Sequence, residues 1–177
     1  SNAGNIGYAS NSSVQIYYDV GSSESNQEYL LGVKFKLDPG WHTYWKNPGD
    51  SGEKASFEWT LPDGFKIDGP FWPQPEKIPY PPLMTFGYND EVIVFFKLSS
   101  SGRINDDSEI SLSTKWLACA DVCLPQEAFI KTNINKNPIS NKNSLEMNDS
   151  FNKKIQEVFK KNISATYINN SLVLSFE

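Results

Sequence analysis

Residues 29–37 (Tyr-Leu-Leu-Gly-Val-Lys-Phe-Lys-Leu) place Leu31, Val33, Phe35 and Leu37 at every second position. A period of two is the repeat of an extended chain, so this stretch is predicted as a strand with one buried face. Asp38-Pro39-Gly40 ends it, Pro through its fixed φ and Gly through its freedom to turn. The alternation recurs at residues 13–20 and 109–116, and shorter β-forming stretches stand at 41–45, 57–60, 92–98 and 127–134. About seven short strands separated by turn signals point to a two-sheet sandwich. Aromatic residues make up 14 % of the chain, and 11 Pro and 11 Gly interrupt it, which fits an all-β fold with many turns.

Residues 69–82 hold six prolines. Each removes a ladder donor, which predicts an ordered irregular loop or an edge segment. A polar Asn/Lys/Ser stretch containing Pro138 spans 135–148, and the pattern changes after it. Phe151, Ile155, Val158 and Phe159 recur at helical spacing, with Asn148 or Asp149 placed to cap the start. Residues 165–168 and 172–176 then read as a β-hairpin turning at Asn169-Asn170. The expected organisation is a main domain over residues 4–137. A linker, a short helix and a hairpin follow over 138–177 and begin a truncated second module. Ser1-Asn2-Ala3 reads as a tag remnant.

Sixteen basic and 21 acidic residues leave a net charge of −5, which argues against a nucleic-acid partner. The one dense basic cluster, Lys153, Lys154, Lys160 and Lys161, reads as the solvated face of the predicted helix. No apolar run reaches the roughly 18 residues of a membrane-spanning helix.

The chemistry is concentrated in Trp116-Leu117-Ala118-Cys119-Ala120-Asp121-Val122-Cys123-Leu124-Pro125, which contains both cysteines of the chain. Fully extended, residues four apart would be roughly 13 Å apart. A disulfide needs Cα atoms within about 7 Å. If the two bond, Ala120-Asp121-Val122 must fold back as a turn or a helical half-turn, with both sulfurs on one side. Three readings compete. A structural disulfide would close so small a loop that it gains less than the ~3 kcal/mol of a 15-residue one. A metal site would want about four ligands, and two Cys with a single distant His fall short. Redox exchange is allowed, although Cys-x3-Cys alone does not specify it.

His42, the single histidine, could be a proton partner beside a thiolate or a half-exposed strand residue. Asp121 could tune the thiols or hold the turn by its side chain, the turn role being favoured. Trp41, Trp45, Trp59 and Trp116 read as core. Phe86 and Tyr88, beside Gly87 and outside any clear strand, read as lid residues.

Four blocks occur in order: Pro39-Gly40-Trp41-His42-Thr43-Tyr44-Trp45-Lys46-Asn47-Pro48-Gly49-Asp50-Ser51-Gly52; Glu58-Trp59-Thr60-Leu61-Pro62; Trp72-Pro73-Gln74-Pro75 running to Phe86-Gly87-Tyr88; and the cysteine block. Together they resemble the N-terminal periplasmic domain of DsbD/ScsB-type thiol:disulfide interchange proteins, over about residues 30–130. The resemblance implies an immunoglobulin-like β-sandwich and a protein-disulfide reductase activity without cofactor or metal, with Cys119 and Cys123 as the exchanging pair. It implies a periplasmic location as part of a bacterial inner-membrane protein. The implied partners are a thioredoxin-like domain and a membrane domain of the same protein, and periplasmic disulfide isomerases or cytochrome c maturation thiol proteins. In such domains an aromatic cap loop shields the pair. Thr85-Phe86-Gly87-Tyr88 resembles it, and His42 and Tyr44 resemble the aromatic wall beside the cysteines. The cysteine spacing is shorter than in the best-known DsbD domains and closer to the ScsB-like branch. The alternative is a non-catalytic β-sandwich binding module that carries a structural disulfide.

Overall fold

The computed structural model describes residues 6–21, 27–101 and 108–134, and the strands at 163–168 and 171–176. Along the main region the strands are β1 (Ile6–Ala9), β2 (Ser12–Gly21), β3 (Gln27–Leu37), β4 (His42–Gly49), β5 (Ser56–Thr60) and β6 (Phe65–Phe71). They continue as β7 (Glu76–Tyr80), β8 (Leu83–Asn89), β9 (Glu91–Ser100), β10 (Glu109–Cys119) and β11 (Cys123–Asn133). They form two antiparallel sheets. One has the order β1-β2-β3-β9-β6; the other has β11-β10-β4-β8-β7, with β5 also paired to β10. The fold is the immunoglobulin-like β-sandwich that the sequence predicts.

The predicted strand at 29–37 is β3, and its alternating Leu31, Val33, Phe35 and Leu37 are all buried. Opposite them on β2, Val14 faces Phe35 and Ile16 faces Val33 across the ladder. The second sheet supplies Ile110, Leu112, Trp116 and Ile130 to the same core. Aromatic rings key the two layers together by edge-to-face contacts. Phe35 meets Trp116 at 5.2 Å, and Phe96 meets both Phe57 and Trp59 at 5.0 and 5.1 Å. Trp41, Trp45 and Trp59 pack partly buried against this cluster, as expected of core tryptophans.

One polar bridge crosses the layers. Ser12 on β2 accepts from Trp116 Nε1 at 3.0 Å and donates to Gln126 Oε1 on β11. A buried hydroxyl with both roles filled avoids the cost of an unpaired polar group.

The proline-rich stretch resolves into the end of β6 and the strand β7, which lies at the sheet edge. An edge needs ladder bonds on one side only, so Pro79 is tolerated. Phe86 and Tyr88 are not outside a strand: they belong to β8. Gly87 between them serves close packing, since a Cβ there would collide with the carbonyl oxygen of Thr43 on β4.

In the C-terminal part, β12 (Ile163–Ile168) and β13 (Ser171–Phe176) pair antiparallel from Ile163↔Phe176 to Ile168↔Ser171, the hairpin expected there. The helix expected near 149–161 and the linker at 135–148 lie outside the described residues.

Candidate functional site: a disulfide at a hairpin tip

Strands β10 and β11 form one long hairpin whose ladder runs from Glu109↔Asn133 to Cys119↔Cys123. The last pair is bonded, with S–S 2.06 Å and Cα atoms 4.1 Å apart. Ala120-Asp121-Val122 form the turn, and Ala120 N donates to Val122 O at 2.9 Å. The fold-back demanded by the spacing is therefore a hairpin tip, with Asp121 exposed at its apex.

The two sulfurs have different surroundings. Cys119 is 1 % exposed, whereas Cys123 opens the exposed side of β11 and its neighbour Val122 is 59 % exposed. Both lie on the outer face of the sheet, because Trp116 and Ala118 occupy the core-facing positions of β10.

Cys119 is paired with His42 on β4, and His42 with Asn89 on β8. This row carries Cys123, Cys119, His42 and Asn89 side by side across four strands. One step along the same face of β4 is Tyr44. Its hydroxyl lies 4.0 Å from Cys123 Sγ and 3.2 Å from His42 Nε2, and the Tyr44 and His42 rings meet edge-on at 5.2 Å. Burial pushes the His42 pKa below its usual 6.5, favouring the neutral ring. Burial also raises the Tyr44 pKa, so its hydroxyl keeps its proton at neutral pH.

The structure thus brings together Cys119, Cys123, His42 and Tyr44. Phe86 and Tyr88 stand elsewhere. Tyr88 pairs with Thr43, which lies between His42 and Tyr44 and so points to the opposite face. Tyr88 is 4 % exposed in the core and donates to Pro73 O at 2.7 Å, and Phe86 meets Trp45 edge-on at 6.5 Å. Sequence reasoning missed Asn89, which donates to Glu76 Oε2 at 2.7 Å beside the row. It also missed the segment after β4 that lies over Tyr44. Neither has a spacing signal; both depend on strand register. Among the described residues, no three of His, Cys, Asp and Glu gather as a metal-binding group. Among them, too, no helix is long and apolar enough to cross a membrane.

Residues 14–134 match the family described as thiol:disulfide interchange protein DsbD, N-terminal. The chain belongs to the DsbD N-terminal family. It is a thiol–disulfide exchange domain. Among solved structures, the N-terminal periplasmic domain of ScsB from Proteus mirabilis is similar at TM-score 0.65 and 22 % identity, covering 99 % of this chain and 69 % of that one. That likeness shows the fold. The reduced N-terminal domain of DsbD from Neisseria meningitidis matches at TM-score 0.41 and 14 % identity, covering 68 % of this chain and 86 % of that one. No curated protein matches the chain. Within this DsbD-type domain, the paired strands β10 and β11 put the disulfide at the turn end of their hairpin.

Proposed function

We propose that Cys119 and Cys123 form a relay that takes two electrons from a thioredoxin-like domain of the same membrane-bound protein and hands them to periplasmic thiol proteins. A partner thiolate attacks Cys123 Sγ, the bond to Cys119 breaks, and Cys119 leaves as a thiolate that takes up a proton. The partner's second thiol then attacks its own sulfur in the mixed disulfide. This releases Cys123 and leaves the partner oxidised. In the onward step the Cys123 thiolate attacks the disulfide of an isomerase or a cytochrome c maturation protein, and Cys119 resolves the mixed disulfide. His42 and Tyr44 border the reacting sulfur, and Asp121 holds the turn.

The observation that supports this reading is the asymmetry of the pair: Cys123 is exposed while Cys119 is 1 % exposed. The bridge is also a weak staple. It closes three residues between strands already laddered along their length, and chain-entropy stabilisation shrinks with loop size.

The test is trapping with a reduced thioredoxin-like protein carrying a single active cysteine. Wild-type domain should be captured by it as a mixed disulfide at Cys123, the two-cysteine form of the same protein should carry the reduction to completion, and Cys119→Ser, preloaded as a mixed disulfide at Cys123, should exchange onto the partner. A pair with a reduction potential below about −300 mV that no thioredoxin-like protein reduces would instead be the structural disulfide of a binding module.

A further inference from the structure

Tyr44 poses a physical question. It lies on the outer face of β4, where a side chain would ordinarily meet solvent, yet it is 3 % exposed. Its cover is the strap Gly49-Asp50-Ser51-Gly52-Glu53-Lys54, itself solvent-exposed from Asp50 to Lys54. At one end the strap is fastened to β8 twice: Asp50 N donates to Met84 O at 3.0 Å, and Met84 N donates to Asp50 Oδ2 at 2.8 Å. At the other end Lys54 makes a parallel bridge to Tyr44 itself. Between them Gly52 lies flat on the phenol ring. A Cβ on Gly52 would fall 2.5 Å from Cδ1 and Cζ of Tyr44, and its φ of +94° is one that residues with a side chain rarely adopt. Only a glycine in that conformation lets the backbone seat on the ring.

Resting on the exchange reading above, we propose that this strap is a positioning device for the redox pair. Asp50 anchors it and Gly52 presses on the Tyr44 ring, so that the Tyr44 hydroxyl is held as a hydrogen-bond donor to the sulfur of Cys123. It acts through the ring, which has two torsions, packs against Gly52 and meets the His42 ring at 5.2 Å.

The consequence is electrostatic. When the disulfide is reduced, Cys123 becomes a thiol in equilibrium with its thiolate. A donor aimed at the sulfur favours the charged form, lowers the thiol pKa and stabilises the reduced state. Releasing the strap lets the hydroxyl turn away, so the Cys123 pKa rises and the equilibrium shifts toward the disulfide. Burial, which raises the Tyr44 pKa, keeps the hydroxyl a donor and not a competing anion.

The experiment uses two readouts on the folded domain: thiolate absorbance of Cys123 in a Cys119→Ser background, and the glutathione equilibrium of the intact pair. Asp50→Ala and Gly52→Ala should each raise the Cys123 pKa and shift the equilibrium toward the disulfide. The shift should be on the order of ten-fold, the scale of one hydrogen bond to a charged group, and match that of Tyr44→Phe. Asp50→Asn should keep the parent values, because its amide oxygen still accepts the Met84 N–H. In a Tyr44→Phe background the strap substitutions should add nothing further. Strap substitutions that leave both readouts at parent values, or that add in full to Tyr44→Phe, overturn the proposal. If Gly52→Ala does not fold, the Asp50→Ala and Asp50→Asn comparison decides alone. A parent pair that exchanges with no thiol partner sinks the exchange reading, whereas the Cys123 pKa series still judges the strap.

Discussion

The hydroxyl of Tyr44 stands 4.0 Å from the sulfur of Cys123, a residue 79 positions away in the chain. The same oxygen is 3.2 Å from Nε2 of His42. A phenol has one proton to give. If it donates to sulfur, His42 Nε2 must carry the proton of the other bond; if it donates to His42, the sulfur loses its donor. Histidine tautomer, tyrosine rotor and thiolate are therefore one coupled unit. A protonated His42 donates from both ring nitrogens, which frees the phenol proton for Cys123 and adds positive charge beside the pair.

The first prediction concerns pH. Burial lowers the His42 pKa in the folded domain below 6.5, its ordinary value. Below that value the unfolded chain binds a proton that the folded one does not, so stability falls as the pH drops through the window beneath 6.5. Carboxylates titrate mostly lower, so a series of urea midpoints from about pH 7.5 to about pH 5 isolates the ring. The oxidised wild-type domain should lose stability toward the acid end, and His42→Gln should flatten the curve. Equal slopes for the two would remove His42 as the cause.

The second prediction separates the two thiols. With Cys119 buried and Cys123 exposed, brief alkylation of the reduced domain with iodoacetamide should label Cys123 at least about ten-fold faster, since reactivity follows access and thiolate fraction. Peptide mass spectrometry reads the ratio directly. Comparable labelling of both sulfurs would mean that reduction opens the hairpin tip, and the assignment of Cys123 as the attacked sulfur would fail with it.

These residues also mark where sequence reading stops. The alternation of Leu31, Val33, Phe35 and Leu37 was legible because one face of β3 is buried along its whole length. A fold-back between bonded cysteines was legible, because residues four apart can bond only by turning back; that it is a hairpin tip and not a helical half-turn depends on the pairing of β10 with β11. What lay beyond reach was register. The strand β8 was not legible around Gly87, whose lack of a side chain is what lets β8 approach β4. With β8 unseen, Phe86 and Tyr88 had no assigned face and took a lid role, while Asn89, one residue on, reached the cysteine row unnoticed. The strap failed to register for a related cause: Asn47-Pro48-Gly49-Asp50-Ser51-Gly52 has the composition of any turn, and only the third dimension lays it over Tyr44.

The third prediction follows from that close approach. Gly87→Ala drives a methyl into the Thr43 carbonyl, and backbone on both sides resists. The two strands must separate where β4 carries His42 and Tyr44, at a cost of about 1–3 kcal/mol. Thermal unfolding of Gly87→Ala should show that loss, together with a change in the glutathione equilibrium of the pair. An unchanged melting temperature would mean that β8 approaches β4 less closely than this geometry requires.

The fourth prediction tests the bridge between the sheets. Ser12 joins Trp116 Nε1 to Gln126 Oε1, and Ser12→Ala leaves a buried donor and a buried acceptor without partners. Each orphaned group costs about 1–3 kcal/mol, far more than the lost oxygen contributes by contact. Gln126 Nε2 already has no partner, so the glutamine is held in place by its oxygen alone. Once Ser12 is gone, that side chain is pure burden. Gln126→Met in the Ser12→Ala background should therefore recover part of the lost stability, although Gln126→Met alone should destabilise. Urea midpoints for the two single variants and the double variant give the coupling energy. Simple additivity would show that Ser12 and Gln126 do not act as one unit.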